Sequence, residues 1–302
     1  MLRRPSPVLA GQLAGIFAVF GWGAYLALAR AGINQGLHAT DFLMLRYGVA
    51  GLLMLPFLPA HLPALRQLGL WRAIALAAVA GPPFILFGVG GYYFAPLAHG
   101  AVIQPVTVTV VVTFIAAAFM GEALTRQRLA GILIALTGII LVGLAAPGTA
   151  PAGLPSGTDH AWIGDILFAA AGLLYAAFTL LMRRWRVDPM LGVIVISVLS
   201  AAAVIPWFIA FDTLGRILAQ PPAALFIQVL IQGLASGVLA VLAFGVTIRN
   251  LGAGPAALFP AMVPVAATII GIPVAGEAPT PTQMAGLVLA TAGLLVAVLR
   301  RG

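Results

Sequence analysis

The sequence predicts an all-α membrane protein: ten transmembrane helices, arranged as two inverted five-helix repeats around a central cavity. Three observations lead there. Of 302 residues, 62% are hydrophobic and 7% charged, with a mean hydropathy of +1.13, far from the charged quarter of an ordinary soluble domain. Apolar runs long enough to cross a bilayer, about 20 residues each, recur from end to end and leave no room for a soluble domain. A stretch of the first half also reappears in the second at a constant offset of 155.

Bounded by Arg, Pro and Gly, the runs fall at about 8–29, 40–58, 72–95, 98–120, 128–146, 161–182, 190–211, 223–248, 253–275 and 283–299. The first has no small-residue cleavage site after it and reads as a retained span. All 15 basic residues are arginine. With the N-terminus inside, 12 arginines face the cytoplasm (Arg3, Arg4, Arg66, Arg72, Arg126, Arg128, Arg183, Arg184, Arg186, Arg249, Arg300 and Arg301). Arg30 and Arg216 lie outside, and Arg46 within a span. The positive-inside rule then places both termini in the cytoplasm, and a bacterial inner membrane is the expected location. The net charge of +8 therefore marks topology rather than a nucleic-acid partner. With no cysteine there is no disulfide framework and no thiolate chemistry.

The Gly/Pro-rich stretch 147–160 carries no arginine and reads as an external linker between repeats 1–146 and 161–302. Residues 121–138 align with 276–293 without gaps. Identities include Gly121/Gly276, Glu122/Glu277, Thr125/Thr280, Gly131/Gly286 and Gly138/Gly293, and Pro105/Pro260 extends the register upstream. Because five is odd, the copy lies upside down, which is how many secondary transporters are built.

At these residues the chain resembles the EamA-type branch of the drug/metabolite transporter superfamily. The likeness lies in Gly-Glu-x-x-Thr-x-x-Gln-x-x-Gly at 121–131, with Gly138 seven residues on and Pro264 lying 13 residues before Glu277. Thr109 stands where the first half would match that proline. The resemblance spans both halves. It implies ten helices around a cavity, with spans five and ten peripheral, and export of amino acids and related metabolites, in the manner of YddG-like exporters.

Polar residues at bilayer depth usually face a cavity or another helix. Gln228, Gln232 and Ser236, spaced i, i+4, i+8, share one face of span eight. They are substrate-binding candidates, with helix–helix bonding as the alternative. Gln104 and Thr107 pair on span four, where Thr109 and Thr113 bond preceding carbonyls. Trp22, Tyr25 and Tyr175 are candidate pocket walls. Tyr92 is a candidate too, although a place beside Tyr93 in an interfacial aromatic belt fits it equally. Gly81-Pro82-Pro83, Pro105, Pro260 and Pro264 break helices and are candidate hinges. The motifs Gly11-x-x-x-Gly15 and Gly233-x-x-x-Gly237 fit close packing within the monomer. Arg46 is expected to snorkel to the outer headgroups, with capture of a substrate carboxylate as the alternative. Glu122 and Glu277 are expected to cap spans five and ten.

His38, His61, His99 and His160 lie in loops or at span ends. There is no Gly-x-Ser-x-Gly and no His-Glu-x-x-His, so an intramembrane enzyme lacks its machinery, and neither a metal nor a cofactor is implied. One arginine is too few for a nucleotide sugar or phosphate, and no carboxylate awaits a cationic drug. The solutes left are neutral or zwitterionic, amino acids first among them. Only Asp165 is a carboxylate at depth, and Gln12, its partner at an offset of 153, cannot titrate. Transport by alternating access without ion coupling is therefore expected, with a proton-coupled drug/metabolite or sugar-type carrier as the alternative. The oligomeric state is not fixed by these residues.

Overall fold

The computed structural model describes residues 6–145, 160–211 and 214–299; the expected linker lies almost wholly outside them. Ten helices among the described residues are long and apolar enough to cross a membrane. They are α1 (Pro7–Asn34), α2 (Asp41–Leu68), α3 (Leu70–Tyr93), α4 (Leu97–Phe119), α5 (Arg126–Leu144), α6 (Ala161–Arg184), α7 (Pro189–Ala210), α8 (Pro222–Leu251), α9 (Gly254–Ala275) and α10 (Pro281–Val298). We call the end of the bundle where α1 begins the basic end and the other the far end.

Helix starts follow local chemistry. Ser6, Thr125, Asp188 and Thr280 each accept a backbone N–H of the first turn, and Pro7, Pro189 and Pro281 stand at or next to the first helical position. Thr280 and Gln283 bond each other's backbone reciprocally. Threonine thus caps α5 and α10 at equivalent places, and the expectation that Glu122 and Glu277 do so is corrected. Both glutamates instead follow a glycine with positive φ, Gly121 at 71° and Gly276 at 69°. That conformation is cheap only for glycine, and it turns the chain sharply between spans.

The packing exchanges the two repeats. Helix α1 packs on α8 and α9 as α6 packs on α3 and α4, while α2 meets α7, α4 meets α9 and α5 meets α10. The last three pairs map onto themselves. Helices α5 and α10 approach through repeat-related glycines: a Cβ on Gly131 would lie 2.6 Å from Ala297 Cα, and one on Gly286 would lie 2.7 Å from Gly138 O. Gly15 faces Phe259 of α9 and Gly233 faces Val49 of α2, so both Gly-x-x-x-Gly motifs serve contacts inside the monomer.

Several spans depart from the expected outlines. Helix α2 runs ten residues beyond 58 because Pro56 and Pro59 fall in the first turn of successive helical segments, where a missing N–H is harmless. Helix α1 continues through Asn34, which brings Arg30 into its last turns. Two π-helical stretches, Met44–Gly48 in α2 and Val229–Leu239 in α8, pack against each other. At Gly81 helix α3 breaks as expected, resuming at Pro82. The carbonyls freed there are not left dry: Tyr47 Oη donates to Ala80 O at 2.6 Å, and lies 3.0 Å from Gly81 O. Thr109 and Thr268 donate to the carbonyls of Pro105 and Pro264 one turn before them, each at 2.9 Å.

A buried polar group without a partner costs about 1–3 kcal/mol. Tyr47→Phe is therefore expected to destabilise the protein by about that much, read as a lower thermal unfolding midpoint in detergent, without altering helix content by circular dichroism.

Candidate functional site

Midway along the bundle, six helices bring polar and aromatic groups together. Arg46, from the π-helical stretch of α2, donates through Nη1 to Ser236 Oγ of α8 at 2.9 Å. Its guanidinium lies over the Tyr25 ring of α1, 4.8 Å from the centroid. The expected snorkelling is thus corrected: the side chain stays against α8, its Cγ 3.9 Å from where a Cβ on Gly237 would stand, because a hydroxyl and an aromatic face there offer what headgroups would. Tyr25 Oη and Gln104 Oε1 of α4 are buried atoms with no hydrogen-bond partner. Both converge on Gly88 of α3, whose missing Cβ would lie 3.6 Å from the first and 3.7 Å from the second. Ala171 of α6 closes the same space at 3.5 Å. One turn along, Phe84 and Tyr175 stack with centroids 5.4 Å apart, and Trp22 meets Phe244 edge-on at 5.4 Å. The result is an aromatic-walled site with one cation and unsatisfied polar atoms.

The two ends of the bundle carry related ion pairs. At the far end Glu277 accepts from Arg30 Nε and, at 2.8 Å, from Leu97 N, while Arg30 Nη1 donates to Tyr92 O. Arg30 and Glu277 are 6% and 7% exposed. At the basic end Glu122 accepts from Arg128 at 3.1 Å and from Arg183. Arg183 and Glu122 are 42% and 30% exposed. The hydrogen bond of Arg183 holds the Glu122 carboxyl below its ordinary value against the opposing effect of burial, and the bond of Arg128 adds to the lowering. Two more contacts tie the far end: Arg216 grips Asp41 through two bonds of 2.9 Å, and His99 meets Asp165 at 2.7 Å.

Residues 9–144 and 162–299 each match the EamA-like transporter family. The chain belongs to that family. It is a polytopic membrane protein of a transporter family built from two repeats, as the resemblance at 121–131 implied. No curated protein sequence matches the chain. Among 17 matching chains of solved structures, one crystal structure of a protein aligns over 97% of this chain and 98% of its own, at 20% identity and a TM-score of 0.58. A likeness at that identity establishes a shared fold.

Within this EamA-like bundle the predicted candidates separate. Trp22, Tyr25, Gln104, Tyr175 and Ser236 gather around Arg46 and Gly88. Gln228 and Gln232 do not line open space: both are buried and donate to the carbonyls of Leu28 and Tyr25 at 2.8 and 3.4 Å, sewing α8 to α1. Thr107 packs on α6, where a Cβ at Gly172 would lie 2.7 Å from it. Tyr92 is fully buried against Phe168 in the far-end seam, so it is neither a belt residue nor part of the central group. His99, expected at a span end, is there but buried. Sequence reasoning missed Tyr47, Phe84, Phe244, Gly88 and the Arg30–Glu277 pair. The pair had a signal: Arg30 and Arg183 share the offset of 153 that relates Gln12 to Asp165, as Glu122 and Glu277 share 155. Among the described residues no three His, Asp or Glu side chains converge to hold a metal ion.

Since Gln232 joins helices, Gln232→Leu is expected to cost about 1 kcal/mol, seen as reduced thermal stability in detergent, while the KM for transported solute stays near wild type.

Proposed function

We propose that this protein exports or facilitates the passage of small neutral or zwitterionic metabolites, amino acids including aromatic ones, by alternating access and without ion coupling. One observation carries the reading: the ion-pair network is complete at the far end and half-made at the basic end. Glu277 and Arg30 reach across to Leu97 N and Tyr92 O, joining α1 and the α9–α10 turn to the α3–α4 turn. The repeat counterparts of Tyr92 and Leu97 at offset 155 are Thr247 and Gly252, at the α8–α9 turn. Glu122 and Arg183 make no such bonds to them among the described residues.

Packing follows the same gradient. Helix α4 is buried from Leu97 through Ile103, whereas every residue from Gln104 to Thr113 except Val106 is half-buried. Helix α1 is largely buried from Gly21 to Ile33 and largely exposed before Val19 apart from a few small residues. The far end is closed over the central site and the basic end is loose. Exchanging the two repeats' conformations would close the second network on Thr247 and Gly252 and open the first. That is alternating access.

The orientation follows from charge. Arg66, Arg72, Arg126, Arg128, Arg183, Arg184, Arg186 and Arg249 sit at the basic end, while the far-end arginines, Arg30 and Arg216, are both engaged by acids. By the positive-inside rule the basic end and both termini are cytoplasmic, and the central site opens inward. The break at Gly81-Pro82-Pro83 and the short segments carrying Pro260 and Pro264 are the hinges of the exchange, whereas Pro105, expected to break its helix, lies inside an uninterrupted α4. Absence of coupling is supported by the place of the His99–Asp165 pair. Asp165 is taken up by His99 and lies beside Gly143 near the end of α5.

Removing one partner of a buried pair costs about 3–5 kcal/mol. Glu277→Gln is expected to loosen the far end and raise external labelling of a cysteine placed at Tyr92 by more than tenfold, and Glu122→Gln to leave it unchanged or lower. Equal labelling in both variants would separate these pairs from gating. In proteoliposomes, flux should saturate with solute yet hardly respond to an imposed pH or sodium gradient. Accumulation driven by a proton gradient and lost in Asp165→Asn or His99→Asn would reverse the coupling assignment.

A further inference from the structure

Among the described residues Arg46 has no counter-ion. Of the seven acids, Asp41 is held by Arg216, Glu277 by Arg30, Glu122 by Arg128 and Arg183, and Asp165 by His99, while Asp188 caps α7. Asp159 and Asp212 lie outside the described residues, beyond the ends of spans. A guanidinium has five N–H donors, and Ser236 takes one of those on Arg46. An arginine within a bundle normally meets a carboxylate or lines a route for an anionic group. Here its two fixed contacts, a hydroxyl and a ring face, orient it without neutralising it.

The groups around it are complementary in a specific way. Gln104 Oε1 is a buried acceptor without a donor, and Tyr25 Oη, which can give or take a hydrogen bond, is unpartnered as well. Both border the place where a Cβ on Gly88 would stand, at 3.6 and 3.7 Å, so the missing side chain leaves a methyl-sized gap between them. Beyond them stand Phe84, Tyr175 and Trp22. Cation, lone-pair acceptor and aromatic wall are the complements of a carboxylate, an ammonium and an apolar side chain.

We infer that Arg46 binds the carboxylate of an α-amino acid and Gln104 Oε1 its ammonium group, so that both charges of the zwitterion are needed for passage. The two π-helical stretches are what make the first contact. They pack on each other so that Arg46 Cγ lies 3.9 Å from where a Cβ on Gly237 would stand, which sets Arg46 and Ser236 at one level of the bundle. This assignment rests on the amino-acid reading of the central site and names how that site recognises its solute. It also sets selectivity. A site built on hydrogen bonds rejects analogues that lack the bonded group far more strongly than it discriminates by size, so the aromatic wall would grade side chains while Arg46 and Gln104 decide admission.

The test is counterflow in proteoliposomes loaded with radiolabelled phenylalanine, leucine or threonine, with phenylalanine methyl ester, phenethylamine, N-acetylphenylalanine and 3-phenylpropionate as competitors. Each competitor lacks one of the two charges. Expected are competition constants at least tenfold weaker than that of phenylalanine for all four. Arg46→Gln should raise the KM for phenylalanine at least tenfold and abolish the preference for phenylalanine over its methyl ester, leaving the preference over N-acetylphenylalanine. Gln104→Leu should do the converse. Arg46→Lys should recover part of the loss, since it keeps the charge but not the fork. Gly88→Leu, which fills the space between the two groups, should block all three amino acids. Competition by the ester and the amine equal to that of phenylalanine in the wild-type protein overturns the inference, and needs no variant to fold. Exchange of none of the three amino acids overturns the amino-acid reading itself, and this inference with it.

Discussion

A bilayer interior has no water to lend, so every backbone break and every polar side chain at depth must be matched by the protein itself. Most of this structure can be read as that matching. The break at Gly81 depends on the phenol of Tyr47. Proline carbonyls are met by threonines four residues on. Two glutamines spend their amides on the backbone of α1. Other buried atoms lack a partner, Gln232 Oε1 and Tyr92 Oη among them, but Arg46, Gln104 and Tyr25 are gathered in one place and incompletely paired. Such a cluster costs stability, and a protein retains it where a solute completes it.

Duplication supplies the second half of the logic. Two copies of one five-helix unit in opposite orientation can occupy two conformations of nearly equal energy by trading places. The trade leaves a visible trace whenever one copy is caught in each. Here it is the difference between Glu277, buried and bonded across the seam, and Glu122, bonded to neighbouring arginines and half in solvent. The same residue type in the same motif has two environments, as the proposed exchange requires.

The fold was legible in the sequence because its determinants are coarse. Apolar runs, arginine placement and a Gly-Glu-Ala repeat survive without any knowledge of contacts, and ten helices in two repeats follow from them. The site was partly legible. Polar and aromatic types at depth single out Gln104, Tyr25, Tyr175, Trp22 and Ser236 as candidates, but helical spacing cannot say which polar face meets a neighbour's backbone, so Gln228 and Gln232 fall in the same group. Direction was the hardest property to read. Arg46 sits near a helix end, where snorkelling is ordinary, and only a π-helical stretch turns it inward. Such stretches leave no periodic signature. Arg30 was hidden by a boundary placed five residues short, and Tyr92 by its position at a span end that folds under the seam instead of facing lipid headgroups.

The seam between α5 and α10 has a consequence for energetics. It is built from repeat-related glycines and maps onto itself when the two halves are exchanged. Its free energy is therefore the same in the inward- and outward-facing forms. It can be made as tight as glycine permits without favouring either form. Stability and bias are separated in space: the periphery holds the protein together, while the ends and the central site set the balance between its two states.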